Sequence, residues 1–240
     1  MSESNKRNFI VHGSILAIAG ILVRIIGMLY RIPVVNIIGS EGNGIYGAAF
    51  NIYNIMLVLS SYGLPMAVSK LVSARFTKRR YKSAAKVLRC SLMVAVCTGG
   101  IAALLVFFGA SFIENVIYGG GLPGLAIPLR ILAPTIFLVA ILGVIRGFFQ
   151  GQSTMIPTAV SQILEQIVNA IVSIAAGYGM MKAFASSPDV AAYGAAGSTL
   201  GTAMGALTAV LFMGFLYAVY TPTFNRLKRK DRHTEHRADL

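Results

Sequence analysis

The chain has 240 residues, 56% of them hydrophobic and 12% charged, with a mean hydropathy of +0.72. An ordinary soluble domain is roughly 45–50% apolar and about 25% charged, so this composition excludes a soluble globular protein. Twenty-one Lys and Arg against eight Asp and Glu give a formal charge of +13, but a nucleic-acid surface needs that charge on a water-soluble scaffold. Here it sits in short blocks between long apolar runs, and no nucleic-acid partner is expected.

A helix crosses a bilayer in about 20 apolar residues. The uncharged stretches predict an all-α, polytopic membrane protein with six spans, near residues 10–30, 45–69, 87–109, 126–148, 156–180 and 194–220. A short tail, 1–9, precedes them and a basic tail, 221–240, follows. The first span comes after Lys6 and Arg7. It shows no small-residue cleavage site and continues through Arg24, so it reads as a retained span rather than a signal peptide. At about 100° per residue, Gly13, Ala17, Gly20, Arg24, Gly27 and Arg31 share one face. The small residues there leave room for a substrate or a neighbouring helix to reach the arginine.

Residues 42–47 match G-x-G-x-x-G, but no strand precedes them and a membrane span follows, so dinucleotide binding is rejected. The second span carries Asn51 and Asn54, which either line a cavity or bond to neighbouring helices, and Pro65, which is expected to kink it. The 70–89 connection holds eight basic residues, from Lys70 to Arg89. It resembles polybasic segments that bind anionic headgroups, and a topogenic signal explains it equally well. Lys and Arg also concentrate in both tails, whereas the connections in between are poor in them. The positive-inside rule therefore places both termini and the 70–89 loop in the cytoplasm.

In the third span Cys90 and Cys97 suggest neither a disulfide nor a metal ligand pair. Gly119 to Gly124 and Ser186-Ser187-Pro188-Asp189 are turn clusters that bound the later spans. The fifth span is polar on one side: Thr158, Gln162, Glu165, Gln166, Asn169 and Ser173 fall within an arc of roughly 80–100°. A charged residue near the bilayer centre costs about 2.5–3.5 kcal/mol on insertion scales, so this stripe should face a partner helix or a hydrated cavity. In the sixth span Gly197, Gly201 and Gly205 form two overlapping small-xxx-small units, expected to pack against another helix. The histidines His12, His233 and His236 do not cluster with other ligand-type residues, and no catalytic constellation is visible. No metal, cofactor or enzymatic role is assigned.

Two readings of the intramembrane charges stay open. Arg24 and Glu165 could form an ion pair that holds two helices together. Alternatively, Arg24, with Arg31 nearer the outer surface, offers positive charge to an anionic substrate, with Asn51, Asn54, Gln162, Glu165 and Asn169 lining the same path. Arginine suits phosphate because its planar fork donates two parallel hydrogen bonds and keeps its charge when desolvated.

The stretch from Tyr30-Arg31-Ile32-Pro33 through residues 41–47 to Ser60-Ser61-Tyr62-Gly63-Leu64-Pro65 resembles the polysaccharide-biosynthesis exporters typified by stage V sporulation protein B. A second block, residues 146–151 followed by 157–166, is similar to the fourth-to-fifth-span signature of that family. Those exporters belong to the multidrug/oligosaccharidyl-lipid/polysaccharide superfamily and are similar to lipid II flippases. The resemblance implies a MATE-like lobe in the bacterial cytoplasmic membrane that moves an undecaprenyl-pyrophosphate-linked sugar between leaflets by alternating access, for cell-wall or sporulation polymers. It implies that Arg24 matches a basic position facing the central cavity; Arg31 matches where spacing varies, and at Asn169 many relatives carry an arginine. Family members have two six-span lobes and usually fourteen spans, so this chain resembles one lobe. The missing half would come from another chain, from self-association or from a longer product. The alternatives are a cation-coupled multidrug exporter using Glu165 as its ion site, and a non-transporting scaffold for envelope enzymes.

Overall fold

The computed structural model describes residues 3–231, with side chains from residue 14 onward. It is a bundle of helices, and no strand occurs among the described residues. In chain order these are α1 (Glu3–Ser60), α2 (Leu64–Thr77), α3 (Tyr81–Phe112), a π-helical turn (Ile113–Ile117), α4 (Ala126–Gly151), α5 (Ile156–Ala183) and α6 (Val190–Lys230). Five segments are long and apolar enough to cross a membrane, one fewer than the six predicted, because the first two expected spans both lie in the stretch Ser14–Thr77.

That stretch is not straight. Gly39 has φ 70° and ψ −176°, a backbone state outside the helix that glycine reaches without steric cost. A straight helix would separate Arg31 and Tyr46 by about 22 Å. The guanidinium of Arg31 instead lies 6.0 Å from the centre of the Tyr46 ring. The chain therefore folds back at Gly39, and the two arms of α1 lie side by side. A second interruption at residues 61–63 separates α1 from α2. Pro65 stands in the first turn of α2, so it starts a helix rather than kinking one, at a position where its missing N–H costs nothing.

Helix extends past the apolar runs at both ends: it already runs from Glu3, and α6 continues to Lys230, beyond the apolar run that ends near residue 220. Hydropathy marks where apolar residues end, whereas backbone hydrogen bonding continues past that point into the polar layer.

The most enclosed element is α4, with half of its most apolar window buried. Its glycines let α2 come close. A side chain at Gly143 or Gly147 would strike Pro65, and one at Gly151 would strike Val72 and the Ser69 carbonyl. The α5–α6 pair is built the same way, as expected from the sixth-span glycines: Gly197 lies against the Ala176 carbonyl, Gly201 against Ser173 and Gly205 against the Glu165 carbonyl. Large apolar side chains cover the outside, among them Phe108, Leu59 and Met66, all more than 75% exposed. A contiguous apolar exterior of this kind belongs in a bilayer, and this is an all-α multi-pass membrane protein.

The two ends of the bundle differ. At one end the Glu114 carboxylate accepts hydrogen bonds from the amides of Gly124 (3.0 Å) and Ala126 (2.7 Å), closing the start of α4. At the other, the Asp231 carboxylate accepts from the Lys82 amide at 2.9 Å, tying the last turn of α6 to the first turn of α3. There Phe76, Phe148, Tyr220 and Phe224 form an aromatic cluster beside most of the basic residues.

Candidate functional site

The first arm of α1 is the least enclosed part of the bundle, with only 6% of its most apolar window buried. Arg24 and Arg31 are both exposed on it, seven residues apart and hence on nearly the same face. By helical rise Arg24 lies about 22 Å from the Gly39 bend and Arg31 about 12 Å, both within the thickness of a hydrocarbon layer of about 30 Å. Between them Gly27 sits against Gln166, where a Cβ would come within 3.2 Å of the amide nitrogen. This contact holds the arm on α5. Asn51 and Asn54 are exposed on the second arm of α1.

The polar stripe of α5 divides in two. One part turns into the protein. Asn169 is buried; its amide nitrogen donates to the Tyr30 hydroxyl at 3.3 Å, and its carbonyl oxygen lies 3.4 Å from the Thr202 hydroxyl and 2.9 Å from that of Ser173. Ser173 also reaches the Ser198 carbonyl at 2.8 Å. The Tyr30 hydroxyl also lies near that of Tyr46. A polar ladder thus joins both arms of α1 to α5 and α6.

The other part is the half-buried pair of Gln162 and Glu165. Here the structure decides against one of the two open readings, the Arg24–Glu165 ion pair. Glu165 is bonded to Arg146 of α4, at 2.7 Å, and not to Arg24. Arg146 is held further by donating from Nε to Ser161 at 2.9 Å, and Ser161 donates to the Thr158 carbonyl at 2.8 Å. The reason is geometric: Arg146 and Glu165 face each other across the α4–α5 connection, whereas Arg24 points to the open side of α1. Tyr53, buried on the second arm, lies close enough to Glu165 to feel its charge.

The seven residues predicted for the site therefore form no single cluster. Arg24, Arg31, Asn51 and Asn54 are on the open surface of α1, Gln162 and Glu165 are half-buried, and Asn169 is internal. The sequence reading missed Arg146, Ser161, Tyr30 and Tyr46 as partners. Arg146 was the available signal, a charge that interrupts the long apolar run after Arg130 on α4. His12 has no described side chain, and His233 and His236 lie outside the described residues.

A bent first hairpin bearing two exposed arginines on an apolar arm, glycine-packed helices and a fourth-to-fifth-helix ion pair all accompany a match to the model of the family described as polysaccharide biosynthesis protein, over residues 10–234. The chain belongs to that family. Among curated relatives it is 34% identical over 176 residues to the lipid II flippase MurJ of Bacillus subtilis (strain 168), covering 71% of this chain and 32% of the relative. It is 30% identical over 210 residues to the stage V sporulation protein B of the same organism, covering 87% and 39%. A third relative there, the uncharacterized membrane protein YabM, is 30% identical over 213 residues, covering 88% and 38%. The chain thus spans less than two-fifths of the length of these family members. No solved structure gives a significant match.

Proposed function

We propose that this chain forms one lobe of a flippase for a polyprenyl-pyrophosphate-linked saccharide, a lipid II-like cell-envelope precursor, in a bacterial cytoplasmic membrane. The exposed face of α1 would line the path. The observation that carries this reading is the placement of Arg24 and Arg31 on the open side of an otherwise apolar helix. Facing lipid, each would cost up to about 2.5–3.5 kcal/mol at mid-membrane. Facing a hydrated space closed by a second lobe, each gains a role, because two guanidiniums spaced along one wall can hand a pyrophosphate from one to the next. The second lobe comes from another part of a longer chain, from another chain or from a second copy. Rocking of one lobe against the other then opens the path to each leaflet in turn. The relatives named for lipid II transport and for sporulation support this substrate class. The basic end faces the cytoplasm in this scheme, in keeping with the positive-inside rule.

The multidrug alternative relied on Glu165 as a proton or sodium site. Its carboxylate is paired with Arg146, which weighs against that reading.

Cysteine accessibility tests the proposal. In a Cys90→Ala/Cys97→Ala background, single cysteines at positions 24, 31, 51 and 54 should react with a membrane-impermeant thiol reagent, and one at position 21 on the same arm should not. Protection of position 24 to the same degree as position 21 would remove the hydrated path.

A further inference from the structure

The basic end of the bundle holds a second feature, independent of the transport reading. An open groove of about 480 Å³ is lined by Lys82 at the start of α3 and by Asn225, Lys228 and Arg229 on the last turns of α6. We propose that this groove binds the phosphate of an anionic phospholipid headgroup.

Its walls are fixed to one another. Phe224, 1% exposed, stacks on Phe76 and on Tyr220, which plants the end of α6 in the aromatic cluster. Lys228 lies 5.2 Å over the Phe224 ring, so its stem is directed along the helix end. The Asp231 carboxylate accepts from the Lys82 amide, which locks the last turn of α6 onto α3 and sets Lys82 opposite Lys228 and Arg229. The backbone that carries the groove is therefore fixed by packing, with Lys228 lying against Phe224.

Among the described residues the charge around it is one-sided. Residues 70–89 and 221–231 hold twelve basic side chains, against the single carboxylate of Asp231, which already receives the Lys82 amide. Two cations, a third across the groove and the Asn225 amide supply the donors that a phosphate diester accepts. The volume lies within the roughly 300–1,000 Å³ of sites for small molecules and headgroups.

The location selects the source of the phosphate. With 41 residues, α6 is about 61 Å long, twice the hydrocarbon thickness, so it extends beyond the apolar layer. Its apolar run ends near residue 220, and Lys228 and Arg229 follow about 12–14 Å further along the helix, on the water side of Tyr217 and Tyr220, the residue type enriched at the membrane–water boundary. A phospholipid bound there keeps its chains in the apolar layer beside the bundle, and a free anion gains only the polar contacts.

Native mass spectrometry of the full chain in mild detergent, titrated with phosphatidylglycerol, phosphatidylcholine or inorganic phosphate, tests this. Lys228→Gln/Arg229→Gln should weaken phosphatidylglycerol binding about 10- to 30-fold, from roughly 1 kcal/mol per basic contact. Lys70→Gln/Arg89→Gln, the same charge loss outside the groove, should change it less than threefold. Phosphatidylcholine should bind weakly to all three proteins, and 10 mM phosphate should not displace phosphatidylglycerol. Equal weakening by both double variants would overturn the site in favour of diffuse attraction. Displacement by phosphate would overturn the lipid as the source. Unchanged elution volume and helicity in both variants ensure that loss of binding is read on folded protein.

Discussion

Glu165 and Arg146 show how one contact decides what a membrane carboxylate can do. A carboxylate in an apolar helix costs several kcal/mol unless it is paired, and here the partner is one helix back in the chain, held in place by Ser161. Arg146→Ala should leave Glu165 uncompensated and lower stability by about 3 kcal/mol, since breaking such a pair costs more than the pair contributes. The paired neutral change Arg146→Gln/Glu165→Gln should recover most of that loss, and thermal melting in detergent compares the two. A double variant no more stable than Arg146→Ala would show that the arginine acts through something other than the pair. The sequence exposed the polar stripe of α5 because its period is helical, and it exposed the unusual charge at Arg24. It could not assign partners, because Arg24 and Arg146 look alike as isolated basic residues in apolar runs. Only the direction in which each helix turns that residue separates an ion pair from an open surface.

Among the elements, the close approaches of α5 to α6 and of α2 to α4 rest on glycine ladders. Gly201→Leu would drive a side chain into Ser173 and the Asn169 backbone. It should therefore cost at least the 1–3 kcal/mol typical of overpacking, seen as loss of a monodisperse peak in size-exclusion chromatography. Gly214→Ala, on the same helix with open space around it, should be neutral or slightly stabilising, because alanine is the better helix former. Asp231→Ala should release the start of α3 at a cost of about 0.5–2 kcal/mol, the usual value for a lost helix cap, measurable as faster amide exchange at residues 81–84. The α6 ladder was legible because its glycines repeat every four residues. The α4 ladder, Gly143, Gly147 and Gly151, repeats in the same way but packs on a proline-led helix whose position depends on the break at residues 61–63. The Gly39 reversal was also hidden: hydropathy sees two apolar runs and an intervening polar stretch, and it does not distinguish a loop from a helix that bends at one residue.

For the molecule as a whole, the asymmetry matters most. One end is basic and tied together by aromatic packing and Asp231. The opposite end is closed by Glu114. One side, the first arm of α1, is left open with two arginines on it. Helix content, membrane class and family were all readable from composition and motifs, because each depends on local pattern. Which surface is open depends on long-range packing, and it is this surface that turns an arginine-bearing helix into a candidate path. The most direct measurement is native mass spectrometry of the full chain in mild detergent with undecaprenyl pyrophosphate, comparing wild type with Arg24→Ala and Arg31→Ala, and reading bound lipid and subunit number together. The account predicts that wild type retains the lipid, and that either substitution weakens retention at least tenfold without changing the subunit number. Equal retention by wild type and both variants would contradict it.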